Sequence, residues 1–193
     1  MKRNEWLILL VFCGLMVPSY FFLNNYVVVF ISLLTLSLIV YLSKEDILAV
    51  RFDELLRSKK MYAWAFEALK YAIFAQAAVT LIFRPEPNAV DDLVQRYPIM
   101  PVLAVISAPI IEETVFRKVI FGALARRFNF WTSSVISSLL FAIGHDSLER
   151  FIGYFLTGMV FCRVYHKSGS LYPVLLAHMA LNLISVAVMT LRG

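Results

Sequence analysis

Long apolar runs alternate with short polar segments along this chain of 193 residues. A helix that crosses a bilayer needs about 20 mostly apolar residues. Stretches that approach this length lie at 6–23, 26–43, 62–83, 98–121, 131–145, 151–165 and 171–190. The fifth and sixth are short for a full crossing, as is typical of helices that tilt or line a cavity. The pattern predicts one domain over residues 1–193, an all-α bundle of about seven transmembrane helices, with six or eight as alternatives.

The polar segment 43–60 has a periodicity of its own. Ser43 and Asp46 have the spacing of a helix-capping box. Apolar residues then recur on one helical face: Ile47, Leu48, Phe52, Leu55 and Leu56. We expect a short amphipathic helix at the membrane interface here, and a solvated connector is the plainer alternative.

The composition is that of a membrane protein. Hydrophobic residues make up 61% of the chain and charged residues 16%, with a mean hydropathy of +0.77, whereas soluble domains average about 45–50% and 25%. The net charge of +5 does not indicate nucleic acid, because the basic residues lie in short clusters between apolar runs, where they set topology. We expect a multi-pass cell-membrane protein whose partners include the lipid bilayer and no nucleic acid.

The basic clusters also predict an orientation. Five Lys or Arg residues lie within 43–60, and Arg126 and Arg127 follow the fourth apolar run, whereas 84–96 and 145–150 carry two and one. The positive-inside rule therefore places the N-terminus in the cytoplasm. The basic start followed by an apolar run is similar to a secretory signal, but no small-residue cleavage site follows, so we expect a retained first helix.

Ionisable residues inside the apolar runs are candidates for function, because charges are costly in a bilayer. In the third run, Glu67 and Lys70 lie three apart and predict an ion pair within the helix. In the fourth, Glu113 and Arg117 lie four apart and can pair on one face. Glu112 then points about 100° away without a partner in its own segment. It is either a protonated structural carboxylate or a group held to take a proton, and this helix alone leaves both open.

Two of the three histidines lie in apolar runs. His145 follows Phe141 by one helical turn in the fifth run, and His178 precedes Asn182 by one turn in the seventh. A single histidine on an apolar helix is usually a packing residue. Two of them on separate helices, together with the unpaired Glu112, favour a shared polar site.

Three short motifs occur in order on these runs: EETVFR at 112–117, FAIGH at 141–145 and HMALN at 178–182. They fit the patterns E-E-x-x-x-R, F-x-x-x-H and H-x-x-x-N. Together they resemble the CPBP family of intramembrane proteases, which includes the CAAX prenyl endopeptidases and bacterial Abi proteins linked to bacteriocin self-immunity. The resemblance covers residues 98–185, which we expect to form the catalytic core.

The resemblance implies a hydrolase that cleaves a peptide bond of a membrane-associated or lipidated protein or peptide. It makes Glu112 the base that activates water, with His145 sharing that water, and it makes His178 and Asn182 the groups that stabilise the oxyanion. The supporting residues that it implies are Glu113, Arg117 and Phe141. Peptide hydrolysis needs both a base and donors aimed at the oxyanion. We expect the site to open toward the cytoplasm.

A metal is an open question for such a site. Glu112, His145 and His178 are also the residue types of a catalytic zinc site, and both metal-dependent and glutamate-dependent mechanisms are held for the family. Asn182 favours the metal-free alternative, because asparagine is an uncommon zinc ligand. Zinc therefore stays open as a cofactor.

Two other functions fit the same residues. One is a non-catalytic membrane scaffold or regulator with the same fold, which would not need a base and oxyanion groups together. The other is a small proton-coupled transporter, in which the carboxylate and histidines relay protons. The transporter is less favoured, because the sequence shows no inverted repeat or matching pair of broken helices.

Overall fold

The computed structural model describes residues 1–16, 18, 25–145 and 147–192, and every regular element in these ranges is helical. The all-α prediction is confirmed. The first predicted run, 6–23, is described only in part, because residues 17 and 19–23 lie outside these ranges. In chain order the helices are α1 Arg3–Val11, α2 Asn25–Leu42, α3 Lys44–Leu48, α4 Phe52–Arg57, α5 Lys59–Phe83, α6 Ala89–Arg96, α7 at 100–125, α8 Phe130–Ile143, α9 Phe151–Ser168 and α10 Tyr172–Arg192.

Apolar surface faces outward along the long helices. In the described ranges, Lys59–Phe83 and Tyr172–Leu191 are long and apolar enough to cross a membrane, while Tyr26–Leu42 and Phe130–Ile143 are apolar but shorter. On α5, Phe74 is 74% exposed, an arrangement that suits lipid contact and is rare on soluble proteins. The number of seven spans, the orientation of the termini and the cytoplasmic opening stay predictions.

Helix α7 changes its hydrogen-bonding pattern along its length. It is π-helical over Leu103–Ser107 and Glu113–Phe121 and α-helical between them. In π-helix an N–H bonds the carbonyl five residues back, and the Ala108 N–H accordingly bonds the Leu103 carbonyl. The Ala104 carbonyl loses that donor, and Pro109 cannot replace it because proline has no N–H. This carbonyl is therefore left for a side chain.

Small residues let the helices of the second half approach closely. Ala68 and Ala72 of α5 share one buried cluster with residues of α9 and α10. Between α8 and α9 the approach is closer still, because a Cβ added to Gly158 would lie 2.8 Å from the Cβ of Ser138. The absence of a side chain at Gly158 thus sets the spacing between α9 and α8, the helix that leads to His145.

Segment 43–60 differs from its prediction. It forms two short helices, α3 and α4, instead of one, and Ser43 makes no capping bond with its side chain. The Asp46 carboxylate contacts Lys118 of α7 at 2.6 Å. A tertiary ion pair has therefore taken the residue that the predicted capping box required. The interfacial placement of these helices stays a prediction.

The predicted pair of Glu67 and Lys70 is wrong. Glu67 instead pairs with Arg163 of α9, while the Lys70 ammonium lies over the Tyr71 ring at 4.5 Å. Because α5 and α9 pack together, a guanidinium from the neighbouring helix reaches the carboxylate.

Gly158→Ala is expected to destabilise the protein, because its methyl group would overlap Ser138 and overpacking costs about 1–3 kcal/mol. The measurement is the temperature of half-aggregation in detergent. Gly122→Ala is the control, because the nearest atom to its added Cβ lies 3.7 Å away. Adding Ser138→Gly should recover part of the loss, and an unchanged transition in Gly158→Ala would contradict the close packing.

Candidate active site

Three helices bring the predicted polar residues together. The Oε2 atom of Glu112 in α7 lies 3.9 Å from Nε2 of His145, just after α8, and 3.7 Å from Nε2 of His178 in α10. This oxygen is buried and has no hydrogen-bond partner among the described residues. The side chains of Glu112 and His145 are 22% and 20% exposed, whereas that of His178 is 4% exposed. The cluster is therefore accessible from the side of Glu112 and His145 and closed on the side of His178.

A second carboxylate, that of Glu113, lies fully buried behind this cluster. Its Oε1 atom is 2.7 Å from Nδ1 of His178 and 3.0 Å from Nη1 of Arg117. The Arg117 nitrogens have no hydrogen-bond geometry toward any described residue, so this contact is mainly coulombic. The guanidinium lies 4.1 Å from the ring centre of Phe141 and 5.2 Å from that of Phe161, where cation–π attraction adds to its stability.

The partners of the two histidines determine which ring nitrogens carry protons. Nδ1 of His145 lies 2.8 Å from the Phe141 carbonyl oxygen, and Nδ1 of His178 lies 2.7 Å from the Glu113 carboxylate. Both oxygens only accept, so both Nδ1 atoms donate. In a neutral ring Nε2 is then an acceptor, as is the Glu112 carboxylate. A group that joins Glu112 to His145 must therefore donate two hydrogen bonds, as a water molecule does.

Asn182 joins α10 to α7. Its Nδ2 atom donates a hydrogen bond to the Ala104 carbonyl at 2.8 Å. This is the carbonyl that the π-helical segment and Pro109 leave without a backbone donor. One of the two amide N–H groups is thus committed to the backbone, and the predicted oxyanion role of Asn182 rests on the other.

Sequence reasoning missed Tyr154 of α9. Its ring stacks on that of His145, with centroids 3.9 Å apart and planes 27° apart, while Phe141 meets the same imidazole edge-on at 4.5 Å. Tyr154 belongs to none of the three motifs and is one of nine tyrosines. The available signal was its hydroxyl in an apolar run, because a buried tyrosine needs a polar partner.

The proposed zinc ligands can be compared with a zinc site. Two ligand atoms that each lie about 2.0–2.1 Å from a tetrahedral zinc are roughly 3.3 Å apart, less than the 3.7 and 3.9 Å between Glu112 and the histidines. Among the described residues no three His, Cys, Asp or Glu are grouped so that they could hold a metal ion. As placed, Glu112, His145 and His178 do not have the spacing of zinc ligands.

Known proteins are similar to this chain over a little less than two thirds of its length. Relatives include YdiL of Bacillus subtilis (strain 168), a candidate membrane peptidase, which is 34% identical over 128 residues, 62% of this chain and 52% of its own length. Another is the membrane-embedded CAAX protease MroQ of Staphylococcus aureus (strain USA300), 27% identical over 139 residues, 64% of this chain and 56% of its own length. The chain thus spans about half the length of these relatives, and no solved structure gives a significant match.

The family comparison covers the helices that build the site. Residues 95–184 match the model of the type II CAAX prenyl endopeptidases described as Rce1-like. This range contains all three motifs and every residue of the polar cluster. The similarity to the Rce1-like type II CAAX prenyl endopeptidases thus covers just under half of the chain, including the whole of the polar cluster.

Proposed function

We propose that this protein is an intramembrane endopeptidase that hydrolyses a peptide bond of a membrane-associated or lipidated protein or peptide. The observation that carries the proposal is the buried Oε2 of Glu112, which bonds no described residue and faces Nε2 of both His145 and His178. Hydrolysis requires a base beside the water that attacks. The match of residues 95–184 to the Rce1-like family model supports a peptide as the substrate.

The first step of the proposed reaction uses Glu112 and His145. Two acceptors 3.9 Å apart can share one water that donates a hydrogen bond to each. The lone pairs of that water then point away from both, toward a bound carbonyl carbon. Glu112 takes one proton as the water oxygen bonds to that carbon, and the carbonyl becomes an oxyanion.

The second step uses His178 and Asn182. In its protonated form, His178 keeps Nδ1–H on Glu113 and directs Nε2–H into the cluster, where it donates to the oxyanion. The second amide N–H of Asn182 is the further donor. Donors held in place in this way stabilise the charge that develops in the transition state. Collapse of the oxyanion breaks the C–N bond, and Glu112 returns its proton to the leaving amine.

Glu112→Gln is expected to lower kcat by about 10²–10⁴-fold, the usual contribution of a general base. The assay follows an internally quenched farnesylated CAAX peptide with the purified protein in liposomes. Glu54→Gln is the matched control, because Glu54 lies in an exposed pair with Arg51 far along the chain from the site. Cleavage by Glu112→Gln at the wild-type rate would contradict the proposal.

A scaffold or regulator predicts a different pattern. It requires binding without cleavage, so Glu112→Gln would then leave a cellular phenotype intact. Comparison of membrane peptides from cells that carry wild type or Glu112→Gln distinguishes the two functions and reveals the natural substrate. Peptides that change between the two strains support the protease, and identical peptide sets contradict it.

Glu113→Gln is expected to act on stability as well as activity. Removing one partner of a buried ion pair costs roughly 3–5 kcal/mol, and this change leaves Arg117 buried without its carboxylate. The measurement is thermal denaturation in detergent, alongside Glu112→Gln. Glu112→Gln should keep the wild-type transition, because the buried Oε2 of Glu112 has no hydrogen-bond partner among the described residues. Equal transitions in both variants would contradict the division of roles between the two glutamates.

Treatment with a chelator is expected to leave cleavage unchanged, because the spacing of Glu112, His145 and His178 does not fit zinc. The measurement is the cleavage rate after dialysis against 1,10-phenanthroline, together with metal analysis of the protein. A zinc peptidase treated in parallel shows that the chelator is effective. Loss of activity that returns on adding zinc would contradict the metal-free mechanism.

A further inference from the structure

We propose that Tyr154 is a positioning residue that orients the His145 imidazole, and that the ion pair of Arg150 with Asp91 holds Tyr154 in place. The inference rests on the proposed function for the reaction it serves, but the geometry it asserts can be measured without a substrate. It adds to the site a residue from α9, a helix that carries none of the three motifs, and it links the site to α6.

His145 needs orientation from its surroundings because of its place in the chain. It lies two residues beyond the end of α8, after Gly144 at the helix C-cap. Its side chain is anchored by the hydrogen bond from Nδ1 to the Phe141 carbonyl. This single hydrogen bond does not prevent the imidazole ring from rotating about the Nδ1–oxygen axis. The Tyr154 face, 3.9 Å away and 27° from parallel, restricts this rotation. With both contacts present, Nε2 points at Glu112.

Tyr154 lies in the first turn of α9, and Arg150 anchors that turn. The Tyr154 backbone N–H donates to the Arg150 carbonyl at 3.0 Å. The Arg150 guanidinium donates to the Asp91 carboxylate at 2.6 Å and to the Glu86 carbonyl at 3.1 Å. Glu149 adds a parallel tie, because its carboxylate accepts from the Glu86 N–H at 3.1 Å. The segment before α6 and the start of α9 are therefore joined at several points.

Helix α6 is itself a firm anchor for this pair. Asn88 caps the helix by accepting from the Val90 and Asp91 backbone N–H groups, and the Asp91 carboxylate returns a bond to the Asn88 N–H. The same carboxylate oxygen that closes this capping box accepts from Arg150. The pair is mostly buried, with side chains 20% and 13% exposed, so it is less screened by solvent than a surface pair.

The consequence for the reaction is geometric. A water shared by Glu112 and His145 is held only while Nε2 faces Oε2, and misplacement of a group by about 1 Å can cost 10²-fold in rate. Loss of the Tyr154 ring frees the imidazole to turn. Loss of the hydroxyl alone keeps the stack. Tyr154→Phe therefore tests the contribution of the hydroxyl, and Tyr154→Leu tests that of the aromatic ring.

The test first measures His145 directly, without substrate. Diethyl pyrocarbonate modifies accessible imidazole nitrogens, and mass spectrometry of peptides from the full-length protein in detergent gives a separate rate for each histidine. In Tyr154→Leu the His145 rate should rise about two- to tenfold, the range expected from the loss of an aromatic pair. It should stay at the wild-type value in Tyr154→Phe, and the exposed His166 provides the reference in every sample.

Two variants on the same helix serve as matched controls. Tyr165→Leu removes a tyrosine that contacts Phe121 and not His145. Arg163→Met breaks an ion pair between α9 and α5, that with Glu67. Arg150→Met should raise the His145 rate, although less than Tyr154→Leu does, while both controls leave it unchanged. A rise in the controls equal to that in Tyr154→Leu would mean that loosening α9 is sufficient, and would overturn the proposal.

Kinetics with the farnesylated CAAX peptide form the second arm. Tyr154→Leu should lower kcat by about 10²-fold with KM nearly unchanged. Tyr154→Phe should keep most of the wild-type kcat. An unchanged His145 reactivity in Tyr154→Leu, or equal damage in the Phe and Leu variants, would overturn the positioning role. If the wild type cleaves no peptide, the proposed function fails, and the diethyl pyrocarbonate rates still decide whether Tyr154 orients His145.

Discussion

The buried carboxylate of Glu113 is the constraint on which the site depends. A buried charge without a partner is costly, and this one is satisfied by Arg117 from its own helix and by His178 from α10. Arg117 in turn lies over the rings of Phe141 from α8 and Phe161 from α9. One carboxylate therefore requires four helices to be docked correctly. The same contacts set the proton on Nδ1 of His178 and direct its Nε2 toward Glu112.

The two adjacent glutamates differ because of this arrangement. Each has a buried Oε2 without a described hydrogen-bond partner, but Glu113 is fully enclosed and bonds His178 through Oε1, whereas Glu112 keeps 22% of its side chain exposed. Neighbours on a helix point about 100° apart, so one faces the protein interior and the other faces the histidines. A fully buried, ion-paired carboxylate and a partly exposed one thus occupy consecutive positions.

The irregular backbone of α7 also contributes to the site. In an apolar environment every backbone polar group needs a partner within the protein, and the π-helical turn with Pro109 leaves the Ala104 carbonyl without one. Asn182 supplies the missing donor at 2.8 Å. The last motif of the chain is thereby attached to the segment that precedes the first. A motif asparagine with two N–H groups can serve both the backbone and a bound substrate.

The sequence by itself determined what depends on local spacing. Apolar runs predicted the helices, the four-residue spacing predicted the pair of Glu113 and Arg117, and polar residues in apolar runs marked Glu112 and the histidines. Local spacing also misled, since it predicted a bond within α5 for Glu67 and a capping box at Ser43. In both cases a cation from a packed helix was the better partner.

Only the tertiary structure decided which groups meet across helices. The bond from His178 to Glu113, the stack of Tyr154 on His145 and the bond from Asn182 to Ala104 join residues 65, 9 and 78 positions apart. Periodicity states which face of a helix a residue occupies and is silent on which helix packs there. That choice follows from how small residues such as Gly158 let helices approach and from where buried charges find partners, and both are properties of the docked bundle.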